Sequence, residues 1–123
     1  MKSVFARTTT IFLLVLFFSL NVFAQNKPVT DIVELKSLPR EAQATLMLIK
    51  QGGPFPYEKD GAVFGNYERK LPQQKRGYYH EYTVKTPRAR NRGAKRIIAG
   101  GPPATSGEYY FTDDHYESFK KIQ

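Results

Sequence analysis

One segment of helical spacing, cut off by Gly52, Gly53 and Pro54, is followed only by segments of strand spacing, and this order narrows the chain to one class of fold. Pro39 suits a first helical turn, Glu41 favours the positive end of the helix dipole, and Ala42, Thr45, Leu46 and Ile49 recur at helical spacing. The two glycines release the chain, and Pro54 makes the stop firm. Further on, Tyr78 to Thr86 alternates, with Tyr79, Glu81 and Thr83 on one face and Tyr78, His80, Tyr82 and Val84 on the other. Arg96 to Ala99, Glu108 to Phe111 and Ser118 to Ile122 read as further strands joined by short connections, which favours antiparallel pairing. The expectation is an α+β domain, an N-terminal helix packed on an antiparallel β-sheet. Gln25 to Lys36 reads as an arm with a short extended or helical piece, and Gly52 to Leu71 as a long loop rich in glycine, proline and aromatics.

The first residues belong to a different regime. Lys2 and Arg7 precede an almost unbroken apolar run from Ile11 to Phe23, whose 13 residues fall short of the roughly 20 of a membrane-spanning helix. Val22 and Ala24 place small residues where a signal peptidase cuts, so residues 1–24 are expected to be a signal peptide. Residues 25–123 then form one exported domain, periplasmic or extracellular.

Cysteine is absent, so an exported domain of this size must be held by packing rather than by disulfides. Eight tyrosines supply material for an aromatic-rich core. The missing thiols also exclude zinc fingers and thiol catalysis, and His80 and His115 alone make a poor metal site, so neither metal nor cofactor is expected. Beyond residue 24 the chain keeps 17 basic residues against 11 acidic ones, which suits a polyanionic partner. Lys85, Arg88, Arg90, Arg92, Lys95 and Arg96 fall within twelve residues with no acid among them. By itself such a run is also compatible with a solvated basic loop.

Chemistry is concentrated in three segments, GYYHEYTV (77–84), RGAKRI (92–97) and DHYESF (114–119). They place Glu81, Arg92, Arg96 and His115 on elements dense in tyrosine. A base, an acid and a cationic clamp are what metal-free cleavage of a phosphodiester needs. On the residues alone, however, Glu81 also reads as an exposed carboxylate or as half of an ion pair with an arginine, and His115 as a capping or core histidine. His80 adjoins Glu81 but faces the other way, and reads as structural.

These segments, with LPREAQATLMLI (38–49), GGPFPYEKDGAVFGNYE (52–68), Leu71-Pro72, Thr86-Pro87, RGAKRIIAG (92–100) and YYFTDDHYESF (109–119), resemble the microbial guanyl-specific ribonucleases, the family that includes barnase and the small secreted bacterial ribonucleases. The resemblance runs from Leu38 to about Ile122. It implies the same helix-on-sheet fold, with RNA as substrate, cut by transesterification to a 2′,3′-cyclic phosphate that water then opens to a 3′-phosphate. By resemblance Glu81 is the general base, His115 the general acid, and Arg92 and Arg96 hold the phosphate. Lys95, where relatives often carry arginine, assists them. Guanine is read by Glu68 and the backbone of Gly65, Asn66 and Tyr67, with Phe64, Tyr67 and Tyr116 stacking on the ring. Tyr67 departs from the bacterial pattern, which usually has arginine there; fungal members place tyrosine just before the glutamate. Lys59, Arg69, Lys70, Lys75 and Arg76 are expected to surround the cleft. The resemblance further implies a monomer and an acidic, barstar-like protein inhibitor, with use as an antibacterial toxin as one possible role. A basic RNA-binding module of the same fold without turnover is the alternative.

Overall fold

The computed structural model describes residues 29–123; the expected signal peptide, residues 1–24, lies outside them. The element order is β1 (Ile32–Val33), a 3-10 turn (Leu35–Ser37), α1 (Arg40–Gln51), β2 (Ala62–Phe64), β3 (Tyr79–Thr83), β4 (Arg96–Gly100), β5 (Tyr109–Thr112) and β6 (Lys120–Ile122). The strands form one sheet in the order β1-β6-β5-β4-β3-β2. Every neighbouring pair is antiparallel except β1 with β6, which is parallel. The α+β expectation therefore holds, with a parallel edge pair added to the antiparallel sheet.

Pro39 is the residue before α1, one step outside the turn expected of it, and its carbonyl accepts from the amides of Ala42 and Gln43. At the other end Gly52 takes a left-handed conformation, φ 85°, and Gly53 donates to the Leu48 carbonyl at 2.9 Å. The buried stripe is Ala42, Thr45, Leu46 and Ile49, the spacing seen in the sequence. It packs on Tyr82, Ile97, Ala99, Tyr109 and Phe111, all on one face of the sheet. Burial of side chains such as Leu46 and Ile49 stabilises by about 1.5–3 kcal/mol each.

The opposite face carries a second cluster, Leu71, Tyr79, Ile98, Tyr110 and Phe119. Because both faces are covered, every residue of β4 and β5 is buried, which explains why RIIAG and YYFT are not cleanly alternating. Glu81 and Thr83 share the second face with Arg96 and Thr112, since Glu81 pairs with Ile98, Thr83 with Arg96 and Arg96 with Thr112. This register brings three segments distant in sequence onto one surface.

The long loop contains a strand that its composition hides. Residues 62–64 pair with Tyr79, His80 and Glu81 along the outer edge of β3. Asp60 anchors the entry, accepting from the amides of Thr83 at 2.8 Å and Tyr57 at 3.1 Å. No helix among the described residues is long and apolar enough to cross a membrane.

Candidate active site

A cleft of about 550 Å³ opens over the second face of the sheet, and Glu81, Arg92, His115, Tyr116 and the loop from Phe64 to Glu68 line it together. Lys59, Val63, Lys70, Glu117 and Phe119 complete the lining.

Glu81 forms no ion pair among the described residues, so the reading of it as half of a structural arginine pair does not hold. Its Oε1 accepts instead from the Tyr116 hydroxyl, which in turn accepts from Arg96 Nε at 3.1 Å. Burial, followed by the bond to Glu81, pushes the Tyr116 phenol up to about 12, against the opposing pull of Arg96. The phenol is thus a neutral donor at any physiological pH, and it leaves the second oxygen of Glu81 uncommitted.

Arg96 is only 3 % exposed. Its guanidinium is fixed by donation from Nη1 to the carbonyls of Gly93 at 3.0 Å and Lys95 at 2.8 Å, and it lies 5.9 Å from the Tyr116 ring centre. A buried cation with neutral acceptors keeps its charge available to an anion, because no carboxylate neutralises it. Gly93 allows this arrangement: at φ 69° a Cβ would lie 2.5 Å from the Thr86 hydroxyl oxygen.

Arg92 is aimed by Thr83, whose Oγ1 accepts from both Nε at 3.1 Å and Nη2 at 2.8 Å. Thr83 also receives the Thr45 hydroxyl on its carbonyl at 3.1 Å and gives its amide to Asp60. The helix, the entry loop and Arg92 therefore meet at one residue.

His115 and Tyr116 both have left-handed backbones, φ 57° and 72°. The turn that bears them is held by Asp114, which accepts from the hydroxyl of Ser118 at 2.6 Å, its amide at 3.0 Å and the Thr112 hydroxyl at 2.8 Å. Those bonds, that from the Ser118 hydroxyl foremost, hold the Asp114 carboxyl down to about 2. The His115 amide donates to the Ala94 carbonyl at 3.2 Å, tying this turn to the arginine loop.

In the loop after β2, Asn66 adopts φ 54° and clasps Leu71, accepting from its amide at 3.1 Å and donating to its carbonyl at 3.0 Å. The Asn66 side chain is thereby spent on shaping the loop, and its carbonyl accepts from the Arg69 amide at 2.9 Å, which leaves the backbone amide to face a ligand. Lys70 links this loop to the His115 turn, donating to the Glu117 carbonyl at 2.8 Å and lying 3.9 Å from the carboxylates of Glu68 and Glu117. The Glu68 side chain is 73 % exposed at the cleft. Phe64 stacks on Tyr116 at 5.1 Å between ring centres.

Lys95 is not among the lining residues. Arg96 is absent from the lining as well: it is buried, and its Nε donates to the hydroxyl of Tyr116, which does line the cleft. His80 lies across the sheet from Glu81, paired with Val63 and Ala99. Val63, Glu117 and Phe119 carry no individual signal in the sequence; Glu117 and Phe119 fall in the DHYESF segment, and Val63 in the long loop segment 52–68. A third carboxylate, Glu108, is committed elsewhere, accepting from the hydroxyls of Tyr78 at 2.6 Å and Tyr110 at 2.7 Å.

The sequence matches the ribonuclease family over residues 24–123. It is 56 % identical over 94 residues to guanyl-specific ribonuclease Sa of Kitasatospora aureofaciens, covering 76 % of this chain and 95 % of that protein. To guanyl-specific ribonuclease St of Saccharopolyspora erythraea it is 54 % identical over 88 residues, or 72 % of this chain and 83 % of that one. Among solved structures, ribonuclease Sa2 in its mononucleotide complexes superposes with a TM-score of 0.73 at 44 % identity, covering 79 % of this chain and 97 % of that chain. Ribonuclease Sa2 with guanosine-2′-cyclophosphate gives 0.69 at 45 % identity, covering 76 % and 95 %. The protein belongs to the microbial guanyl-specific ribonuclease family.

Proposed function

We propose that this protein is a guanyl-preferring endoribonuclease that cleaves RNA without a metal ion. The observation that carries the reading is the unpaired Glu81 carboxylate, which shares one cleft with His115, Arg92 and the loop of Glu68. The ribose 2′-hydroxyl gives its proton to Glu81 as its oxygen bonds to phosphorus. The bond from phosphorus to the 5′-oxygen breaks as His115, in its imidazolium form, protonates that oxygen. Arg92, Arg96 and the Tyr116 hydroxyl offset the charge gathering on the phosphoryl oxygens. Water then opens the cyclic phosphate with the proton roles exchanged. DNA lacks the 2′-hydroxyl and is bound without being cut.

Guanine preference follows from the reader loop. The Glu68 carboxylate accepts from the two ring-edge donors of guanine while backbone amides of residues 65–67 face its O6. Adenine presents an acceptor where Glu68 needs a donor, so the bonds that hold guanine are not made. In the same reading the chain is exported by residues 1–24, acts as a monomer, and is covered at its cleft by an acidic protein inhibitor suited to the net basic surface.

The test is cleavage of GpU, ApU, CpU and UpU in the presence of EDTA. GpU is cut fastest, a 2′,3′-cyclic phosphate accumulates first, and the pH profile is bell-shaped. Direct formation of a linear 3′-phosphate, or loss of all activity on chelation, would sink the mechanism.

A further inference from the structure

Tyr67 is 80 % exposed, yet it is held in place from two sides. Arg76 donates from Nη1 to its hydroxyl at 2.7 Å, with the guanidinium carbon 5.7 Å from the ring centre. Beneath, the ring lies directly on Gly65: a Cβ there would come within 2.5 Å of two ring carbons. Gly65 has no left-handed backbone, so the close approach of the ring, rather than conformation, is what calls for glycine. An exposed aromatic ring normally samples several rotamers, and ordering it costs entropy. Arg76 offsets that cost before any ligand arrives.

We propose that Arg76 is a positioning residue for base selection, acting through Tyr67. Arg76 reaches Tyr67 from the loop before β3, and nothing places Arg76 itself against the cleft. It holds the phenol ring over Gly65 as one wall of the base slot, in the cleft that Phe64 and Tyr116 also line. Two consequences follow. The fixed ring offers a stacking surface at little entropic cost to the ligand. It also shields the backbone amides of residues 65–67 from water, which strengthens the hydrogen bonds that distinguish guanine from adenine. This inference rests on the guanine-reading assignment of residues 64–68.

The experiment measures kcat and KM for GpU and ApU, and calorimetric affinity for 3′-GMP and 3′-AMP, in the wild type, Arg76→Ala, Arg76→Lys, Tyr67→Ala and the Arg76→Ala/Tyr67→Ala pair. Arg76→Ala is expected to raise KM for GpU and Kd for 3′-GMP by the same factor, about 3- to 10-fold, with the loss in kcat/KM carried by KM. The GpU to ApU ratio of kcat/KM falls with it, and Arg76→Lys restores part of the loss. The double variant is no worse than Tyr67→Ala alone, because removing the ring leaves Arg76 nothing to hold. Gly65→Ala, which lifts the ring while keeping Arg76, reproduces the KM effect. Additive losses in the double variant, or 3′-GMP affinity indifferent to Arg76→Ala, would overturn the positioning role while guanine preference stood. Wild-type protein binding 3′-AMP as tightly as 3′-GMP would overturn the guanine reading beneath it.

Discussion

The floor of the cleft and the rim proposed to read the base are built on opposite principles. On the floor, Arg96 is buried with three neutral acceptors, Tyr116 links it to Glu81, and Thr83 grips Arg92 from strand β3. At the rim, Glu68 and Tyr67 are largely open to solvent, and order comes from Asn66 clasping Leu71, Lys70 reaching Glu117 and Arg76 holding Tyr67. Charge stabilisation in a transition state gains from groups that are fixed and dry before the substrate arrives. Base reading needs an opening through which a nucleobase can enter. The sheet supplies the first and a short loop the second.

Mutations should separate the two regions by what they change. On the floor, Glu81→Gln and His115→Gln are each expected to lower kcat by a factor of at least ~100, since each removes a proposed proton-transfer group, while KM for GpU moves far less. At the rim, Glu68→Gln removes a charged acceptor for guanine and lowers kcat/KM on GpU by about 10- to 100-fold, the equivalent of losing hydrogen bonds to a charged group. It also narrows the gap between GpU and ApU, which the floor variants leave open. If Glu81→Gln altered base preference as strongly as turnover, the two regions would not be separable.

Thr83→Val tests how far the floor depends on preorganisation. Valine keeps the β-branched shape and removes the oxygen that receives two Arg92 donors. Losing a hydrogen bond to a charged group costs about 1.5–3 kcal/mol, so turnover on GpU should fall by about 10-fold or more. The guanine to adenine ratio is expected to stay near its wild-type value. Steady-state kinetics on both dinucleotides, with thermal melting to follow the fold, distinguish these effects.

Much of the floor was legible in the sequence because it follows periodicity. The alternation in GYYHEYTV put Glu81 and Thr83 on one face and His80 on the other, and the pairing of β3 with β4 then brings Arg96 beside Thr83. The basic run as a block concealed that Arg92 lines the cleft while Lys95 and Arg96 do not. What was not legible lies where the chain leaves regular geometry. Strand β2 is three residues long inside a glycine-rich loop, and its pairing with the edge of β3 has no period to announce it. The contact of Tyr116 with Glu81 depends on two consecutive left-handed residues, set by Asp114 bonds across four positions. Strand β1, two residues long, gains its parallel place only because residues 31–35 meet the C-terminal strand.

The smallest expected effects concern pH, and they separate the sheet from the turn that carries His115. In the sheet and beside it, burial raises Tyr79, Tyr82 and Tyr116 above the ordinary tyrosine value, burial and Glu108 together raise Tyr110, and the bond to Glu108 leads the rise at Tyr78. A folded pKa above the unfolded value favours the protonated form, so this stabilisation is complete below pH ~10 and is lost as pH rises beyond it. The whole sheet should melt at lower temperature above that pH. Asp114 runs the other way. Its folded value of about 2 lies below its ordinary 3.8, so its contribution is present above pH 3.8 and fades as pH falls toward 2. Because this carboxylate is almost wholly solvated, screening makes the effect small. Asp114→Asn should therefore flatten only the acid limb of melting temperature against pH, leave the alkaline limb as in wild type, and loosen the His115 turn enough to lower kcat by a few-fold. An alkaline limb displaced by this substitution would mean that the turn and the sheet unfold as one coupled unit rather than independently.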